Sequence, residues 1–109
     1  MTAETTEAAT AAAAPPDHLS ERAKTLWRDV VKAGMSIGRQ TAIQTALEAL
    51  DRADAARRQV DADGMLTGTE GRMKHAHPLL KVEKDCRTQF SSLWQSLGLH
   101  YNFRQDGRL

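Results

Sequence analysis

The stretch Met73-Lys74-His75-Ala76-His77-Pro78-Leu79-Leu80-Lys81, running on to Phe90-Ser91-Ser92-Leu93-Trp94-Gln95-Ser96-Leu97-Gly98-Leu99, decides the fold class. Pro78 suits a first helical turn, where a missing N–H costs nothing and the fixed φ is already helical. Gly98 followed by Leu99 reads as a glycine cap with an apolar contact back onto the last turn. Between them Leu79, Val82, Cys86, Phe90, Leu93 and Leu97 recur every three to four residues, and Trp94 widens the stripe. That period predicts one helix with a single buried face. His77, just before Pro78, is placed to cap it. Lys81, Lys84 and Arg87 fall along the exposed side of its first half.

Immediately upstream, Met65-Leu66-Thr67 and Arg72-Met73-Lys74 flank Gly68-Thr69-Glu70-Gly71. Two short arms around a glycine-bearing loop predict a short β-hairpin with a basic second arm. Before it a helical pattern runs from after Arg39 to about Ala62, with Ile43, Ala46, Leu47, Leu50, Ala53 and Val60 on one side. Gly64 is its expected stop, and Asp54 with Arg58 forms an i,i+4 pair in the favourable order. Such a helix would be about 36 Å long. That spans the whole width, on the order of 30 Å, of a globule this size. The length, with an alanine-rich middle that admits close helix approach, suggests an oligomerisation element. A first helix is expected from Ser20 as N-cap to Gly34, with Ala23, Leu26, Trp27, Val30 and Val31 on its apolar face. On its other side Lys24, Arg28 and Lys32 stand four apart as a basic ridge. A solvated face is the plainer explanation of that ridge, and contact with DNA phosphates the sharper one.

The expected architecture is thus mainly α: a small helical domain with a long central helix and a short β-hairpin before the third helix. Residues 1–17, made of Ala, Thr, Glu and Pro, read as a disordered leader. Residues 18–99 form the domain, and 100–109 a C-terminal tail. In a chain of 109 residues with only 5% aromatics the core is thin. Extra buried surface from a partner or another copy would help it. No apolar run reaches the roughly 18 residues of a membrane span, and the start lacks a secretory pattern. These features suit a cytoplasmic protein. Net charge is +1, unevenly spread. Residues 1–20 hold Glu4, Glu7 and Asp17 with no Lys or Arg, leaving 15 basic and 11 acidic side chains in the other 89. A mildly basic body permits nucleic-acid contact without demanding it.

Catalytic and metal chemistry find little support. His75 and His77 have a spacing known from metal sites, but His18 and His100 stand alone, so no metal and no cofactor are expected. No phosphate-cradling glycine loop, nucleophile elbow or paired cysteine is present. The one cysteine, Cys86, lies on the apolar stripe and reads as a small buried thiol. Trp27 and Trp94 lie on apolar faces, which favours core packing over base stacking.

Several segments together resemble the terminase small subunits of tailed phages. These are Leu19-Ser20-Glu21-Arg22-Ala23-Lys24-Thr25-Leu26-Trp27-Arg28, the long helix with Asp63-Gly64-Met65-Leu66, the hairpin leading to His77-Pro78-Leu79-Leu80-Lys81, and Leu93-Trp94-Gln95-Ser96-Leu97-Gly98-Leu99. The resemblance covers residues 18–104. It departs at Gly34–Thr41, which lacks a leucine-rich run, and after Leu99, where His100-Tyr101 replace Thr-Pro or Ser-Pro.

The resemblance implies a non-catalytic genome-packaging factor in the infected or lysogenic host. Such a factor would bind double-stranded viral DNA at the packaging start as an oligomeric ring and recruit the large terminase subunit. DNA-contact candidates, chosen by charge, are Lys24, Arg28, Lys32, Arg72, Lys74 and Lys81. Oligomerisation candidates are Leu47, Leu50, Val60, Phe90, Leu93, Trp94 and Leu97. Competing readings are a protein-binding helical adaptor and a helical DNA-binding repressor.

Overall fold

The computed structural model describes residues 12–64, 66–67 and 75–99. Among these residues the fold is mainly helical, with three helices and one pair of two-residue strands. Helix α1 spans Glu21–Val30. Its N-cap is Ser20, whose Oγ accepts from the Ala23 N–H at 3.1 Å. Glu21 puts a negative charge against the exposed N–H groups of the first turn. The helix ends four residues before Gly34. Val31 turns to extended backbone and is buried, so the chain leaves the helix to keep Val31 inside. Gly34, at φ +81°, instead serves the reversal that follows, in a region costly to any residue with a Cβ.

Helix α2 spans Ile37–Asp63. At 27 residues it is about 40 Å long. It starts earlier than expected because Ser36 is a full N-cap, its Oγ accepting from the Arg39 N–H at 3.1 Å. Gly38 therefore sits inside the first turn rather than breaking the helix. The buried face comprises Ile43, Ala46, Leu47, Ala49, Leu50, Ala53, Ala56 and Val60. Gly64 is the stop, at φ +91°, its N–H returning to the Val60 carbonyl at 2.7 Å.

Strands β1 (Leu66–Thr67) and β2 (His75–Ala76) pair antiparallel, Leu66 opposite Ala76 and Thr67 opposite His75. The described part of the second arm is His75–Ala76, and the expected Arg72–Lys74 lies outside the described residues. Helix α3 spans Pro78–Ser96, with Pro78 in its first turn and His77 as N-cap. At its end Gly98, at φ +77°, donates to the Gln95 carbonyl and Leu99 to the Trp94 carbonyl, each at 2.9 Å. These are the two bonds of a Schellman cap, and Leu99 packs against the core as expected.

Side-chain contacts fix α2 and α3 as an antiparallel pair. Arg39 Nη2 donates to the Leu97 carbonyl at 2.6 Å. Asp54 meets Arg87 at 3.3 Å, Arg57 meets Glu83 at 3.6 Å, and Asp63 meets His77 at 2.9 Å. Helix α1 lies against this pair, adding Leu19, Ala23, Trp27 and Val31 to a core with Ile43, Leu47, Leu50, Phe90 and Trp94. The Phe90 and Trp94 ring centroids are 4.9 Å apart. On α3 the buried row is Cys86, Phe90 and Trp94, with Leu79, Leu93 and Leu97 half-buried. Val82, expected on the buried stripe, is exposed. Each four-residue step turns about 40° around a helix, which carries the row off the contact face at Val82.

Two further expectations are revised. Asp54 does not pair with Arg58; its carboxylate meets Arg22 at 2.6 Å and Arg87 at 3.3 Å, joining all three helices. Arg87 is accordingly half-buried between Asp54 and Glu83. Within the expected leader, the Ala13 carbonyl accepts from the Trp27 indole N–H at 2.8 Å. Residues 1–11 and the tail 100–109 fall outside the described residues. Among those described, no helix is long and apolar enough to cross a membrane.

Candidate nucleic-acid interface

Four of the six candidate DNA contacts, Lys24, Arg28, Lys32 and Lys81, lie among the described residues. Lys24 is half-buried on α1, with its Nζ 3.7 Å from Glu21. Arg28 is exposed on the same helix, and Lys32 is exposed beyond the helix end, since α1 stops at Val30. The expected continuous ridge is thus two helical positions and a turn residue. Neither Arg28 nor Lys32 makes an ion pair with a described residue. Lys81 lies in the first turns of α3, with Nζ 2.8 Å from Asp85. Both groups of that pair are mostly exposed, so it contributes little to stability. Arg72 and Lys74 lie outside the described residues.

Helix α2 separates these groups. Lys32 is five residues before Ile37, at the start of α2. Lys81 is four residues into α3, whose N-cap His77 touches Asp63 at the end of α2. The described candidates therefore divide between the two ends of a helix about 40 Å long. Three further exposed cations were not among the DNA-contact candidates. Arg52 and Arg58 lie on the outer side of α2, and Lys84 on α3. Arg58 was missed because its spacing suggested a pair with Asp54, which turns inward instead. Exposure of guanidinium and ammonium groups along the body is the chemistry of polyanion binding, in which released counterions supply much of the affinity.

The other polar side chains tie helices together. Ser20 gives both its N–H and its Oγ–H to Asp51, at 2.8 and 2.6 Å. His18 Nε2 and Glu48 stand 2.7 Å apart, and Gln44 also donates to Glu48. The Gln44 and His18 hydrogen bonds hold the Glu48 carboxyl below its ordinary range. At the other end His77 Nδ1 accepts from the Leu79 N–H at 3.1 Å. The ring proton is therefore assigned to Nε2, which donates to Asp63 Oδ2 at 2.9 Å. Gln59 donates to the same oxygen at 2.9 Å. These two bonds, from Gln59 and then His77, lower the Asp63 carboxyl pKa. With both ring nitrogens engaged, His77 has no lone pair left for a metal. Cys86 is buried as a free thiol. Trp27 and Trp94 are both core residues, unavailable for stacking on bases.

Burial also redraws the oligomerisation candidates. Leu47, Leu50, Val60, Phe90 and Trp94 are buried within the single chain. Leu93 and Leu97 are half-buried and keep some apolar surface outward. Ile37, at 75% exposure, is the most exposed large hydrophobic of the described residues.

Comparison with known proteins bears directly on this arrangement. The chain matches the family described as phage terminase, small subunit, over residues 23–106. No curated protein and no solved structure gives a match. The matched span takes in most of α1, all of α2 and α3, and both strands. The chain belongs to the phage terminase small subunit family.

Proposed function

We propose that this protein is a non-catalytic genome-packaging subunit that binds double-stranded viral DNA at the packaging start as an oligomeric ring. In that role it recruits and regulates the large terminase subunit, the ATPase and nuclease of the packaging machine. The observation that carries the proposal is the family match across residues 23–106. The exposed cations Arg28, Lys32, Arg52, Arg58, Lys81 and Lys84 support it as groups able to meet phosphates. Outward apolar surface at Ile37, Leu93 and Leu97 supports contact with a second copy. Two cation groups at opposite ends of α2 would become two continuous bands once copies are repeated around an axis. Repetition also multiplies weak phosphate contacts without any new chemistry.

Light scattering on the whole chain tests the assembly. The expected mass is a closed multiple of 12.0 kDa. It should fall toward the single-chain value in an Ile37→Glu, Leu97→Glu variant. A 12.0 kDa particle at high micromolar concentration, with or without DNA, contradicts the ring.

A further inference from the structure

Glu48, Asp51 and Asp54 stand three residues apart on α2, and such a row slants across a helix surface. Each carboxylate meets one residue of the chain entering α1, and these partners stand two apart. His18 Nε2 and Glu48 are 2.7 Å apart. Ser20 gives its N–H and Oγ–H to Asp51, at 2.8 and 2.6 Å. Arg22 Nη2 donates to Asp54 at 2.6 Å. The charge pattern admits one register. Thr45 and Arg57 continue the row at either end. A slip of one step toward Arg57 would set Arg22 against a like charge. A slip toward Thr45 would leave His18 facing an uncharged hydroxyl. Like-charge and unpaired alternatives of this kind select one pairing over its neighbours.

The other contacts holding α1 are apolar. Leu19, Ala23, Trp27 and Val31 join the common core. Apolar burial is strong but non-directional, so it fastens the helix without fixing its register. The polar rungs have the opposite character: exposed pairs contribute little strength, but they have direction. Asp51 is the firmest of the three, because it holds both the backbone N–H and the hydroxyl of the N-cap itself. Its charge also faces the helix start, where the dipole favours an anion. Residues 18–22 precede the span 23–106 that matches the family, so their half of the contact lies outside it. Arg28 is exposed on α1, and Lys32 just past its end.

We propose that Glu48, Asp51 and Asp54 form a register clamp on α1, positioning residues that fix its pose against α2 and so place Arg28 and Lys32 for contact with DNA phosphates. The proposal rests on the DNA-binding reading above. Fixing the pose before binding lowers the ordering cost that association would otherwise carry. The clamp therefore acts on affinity through Arg28 and Lys32 without itself touching DNA.

The test compares Asp51→Ala with Asp51→Asn in the full-length protein. Both remove the same negative charge, but asparagine keeps an oxygen that accepts from the Ser20 N–H. One readout is amide hydrogen exchange across Glu21–Val30, and the other is affinity for a double-stranded DNA fragment at fixed salt. Affinity is measured again with Arg28→Gln and Lys32→Gln present in both variants. Far-UV circular dichroism and melting temperature verify that each variant is folded. If Asp51→Ala does not fold, Glu48→Ala against Glu48→Gln repeats the comparison at a more exposed rung, with the same ordering expected.

Asp51→Ala is expected to exchange about threefold faster in α1 and to bind DNA about three- to tenfold more weakly than Asp51→Asn. With Arg28 and Lys32 neutralised, that gap in affinity should close to within about twofold, because the clamp no longer has cations to place. Equal exchange in the two variants overturns the clamp. Faster exchange with equal DNA affinity overturns its link to DNA. A gap that persists undiminished without the two cations overturns their assignment as the groups it places. A wild type that does not bind DNA overturns the functional reading on which the link rests, while the exchange comparison still decides the clamp.

Discussion

The two ends of helix α2 are held by different physics. At its start, large side chains do the work: Ile43 and Leu47 meet Trp27, Val31, Phe90 and Trp94 in one apolar cluster. Toward its finish the buried positions shrink to Ala53, Ala56 and Val60, with Cys86 on α3. Polar contacts take over there: Asp54 with Arg22 and Arg87, Arg57 with Glu83, Asp63 with His77. Apolar burial contributes about 25 cal/mol per Å² and tolerates no replacement by solvent. Exposed or half-exposed ion pairs contribute far less, and water can replace them. The start of α2 is thus a rigid body, and the finish is specified by direction more than by strength.

That contrast can be broken by substitution. Trp27→Ala removes the largest contributor at the start of α2, and its indole N–H to Ala13 besides. It should cost about 3–5 kcal/mol in chemical denaturation. Val60→Ala, the comparable truncation at the finish, should cost about 2 kcal/mol, since only two methyl groups leave. Equal losses at the two sites would contradict the division. Asp54→Ala frees Arg22 and Arg87 from their shared partner. It should cost about 1 kcal/mol, less than either core change, because water reaches both guanidinium groups.

The smallest effect concerns acid. Hydrogen bonds from Gln44 and His18 lower the folded-state pKa of Glu48 below its ordinary 4.5. A carboxyl depressed in this way stabilises the fold above its unfolded value, and the contribution disappears as pH falls through the folded value. Glu48→Gln should therefore be less stable than the wild type by at most about 0.5 kcal/mol above pH 4.5. The two curves should converge in stronger acid. A deficit that grows toward low pH has the wrong sign for this account.

The ends of the elements were legible in the sequence because their chemistry is local. Ser20, Gly64, His77-Pro78 and Gly98-Leu99 each act within one turn, so residue type at the right offset is enough to place them. Gly38 misled for the same reason. Read as a breaker, it hid Ser36, yet a glycine in the first turn disturbs little. The partners of Asp54 were not legible, because Arg22 and Arg87 are 32 and 33 residues away in sequence while Arg58 is four. The apolar stripe of α3 was legible in period but not in width. Which of Val82 and Trp94 is covered depends on where α2 lies, and no single-helix pattern carries that. The basic candidates were chosen by charge alone, which cannot reveal that Lys32 and Lys81 lie at opposite ends of α2.

The most direct measurement of the central claim is the salt dependence of DNA affinity, for the wild type and for Arg28→Glu, Lys32→Glu. Plotted as log K against log salt, wild-type binding should fall steeply, by about a thousandfold between 50 and 200 mM for six phosphate contacts. The variant should bind more weakly at every salt concentration. Its slope should be shallower by about one unit for each phosphate that the substituted side chains no longer neutralise. A wild type with no affinity for DNA at 50 mM salt contradicts the claim that this small subunit binds DNA. A variant indistinguishable from it in both affinity and slope removes the α1 end of the molecule from the interface.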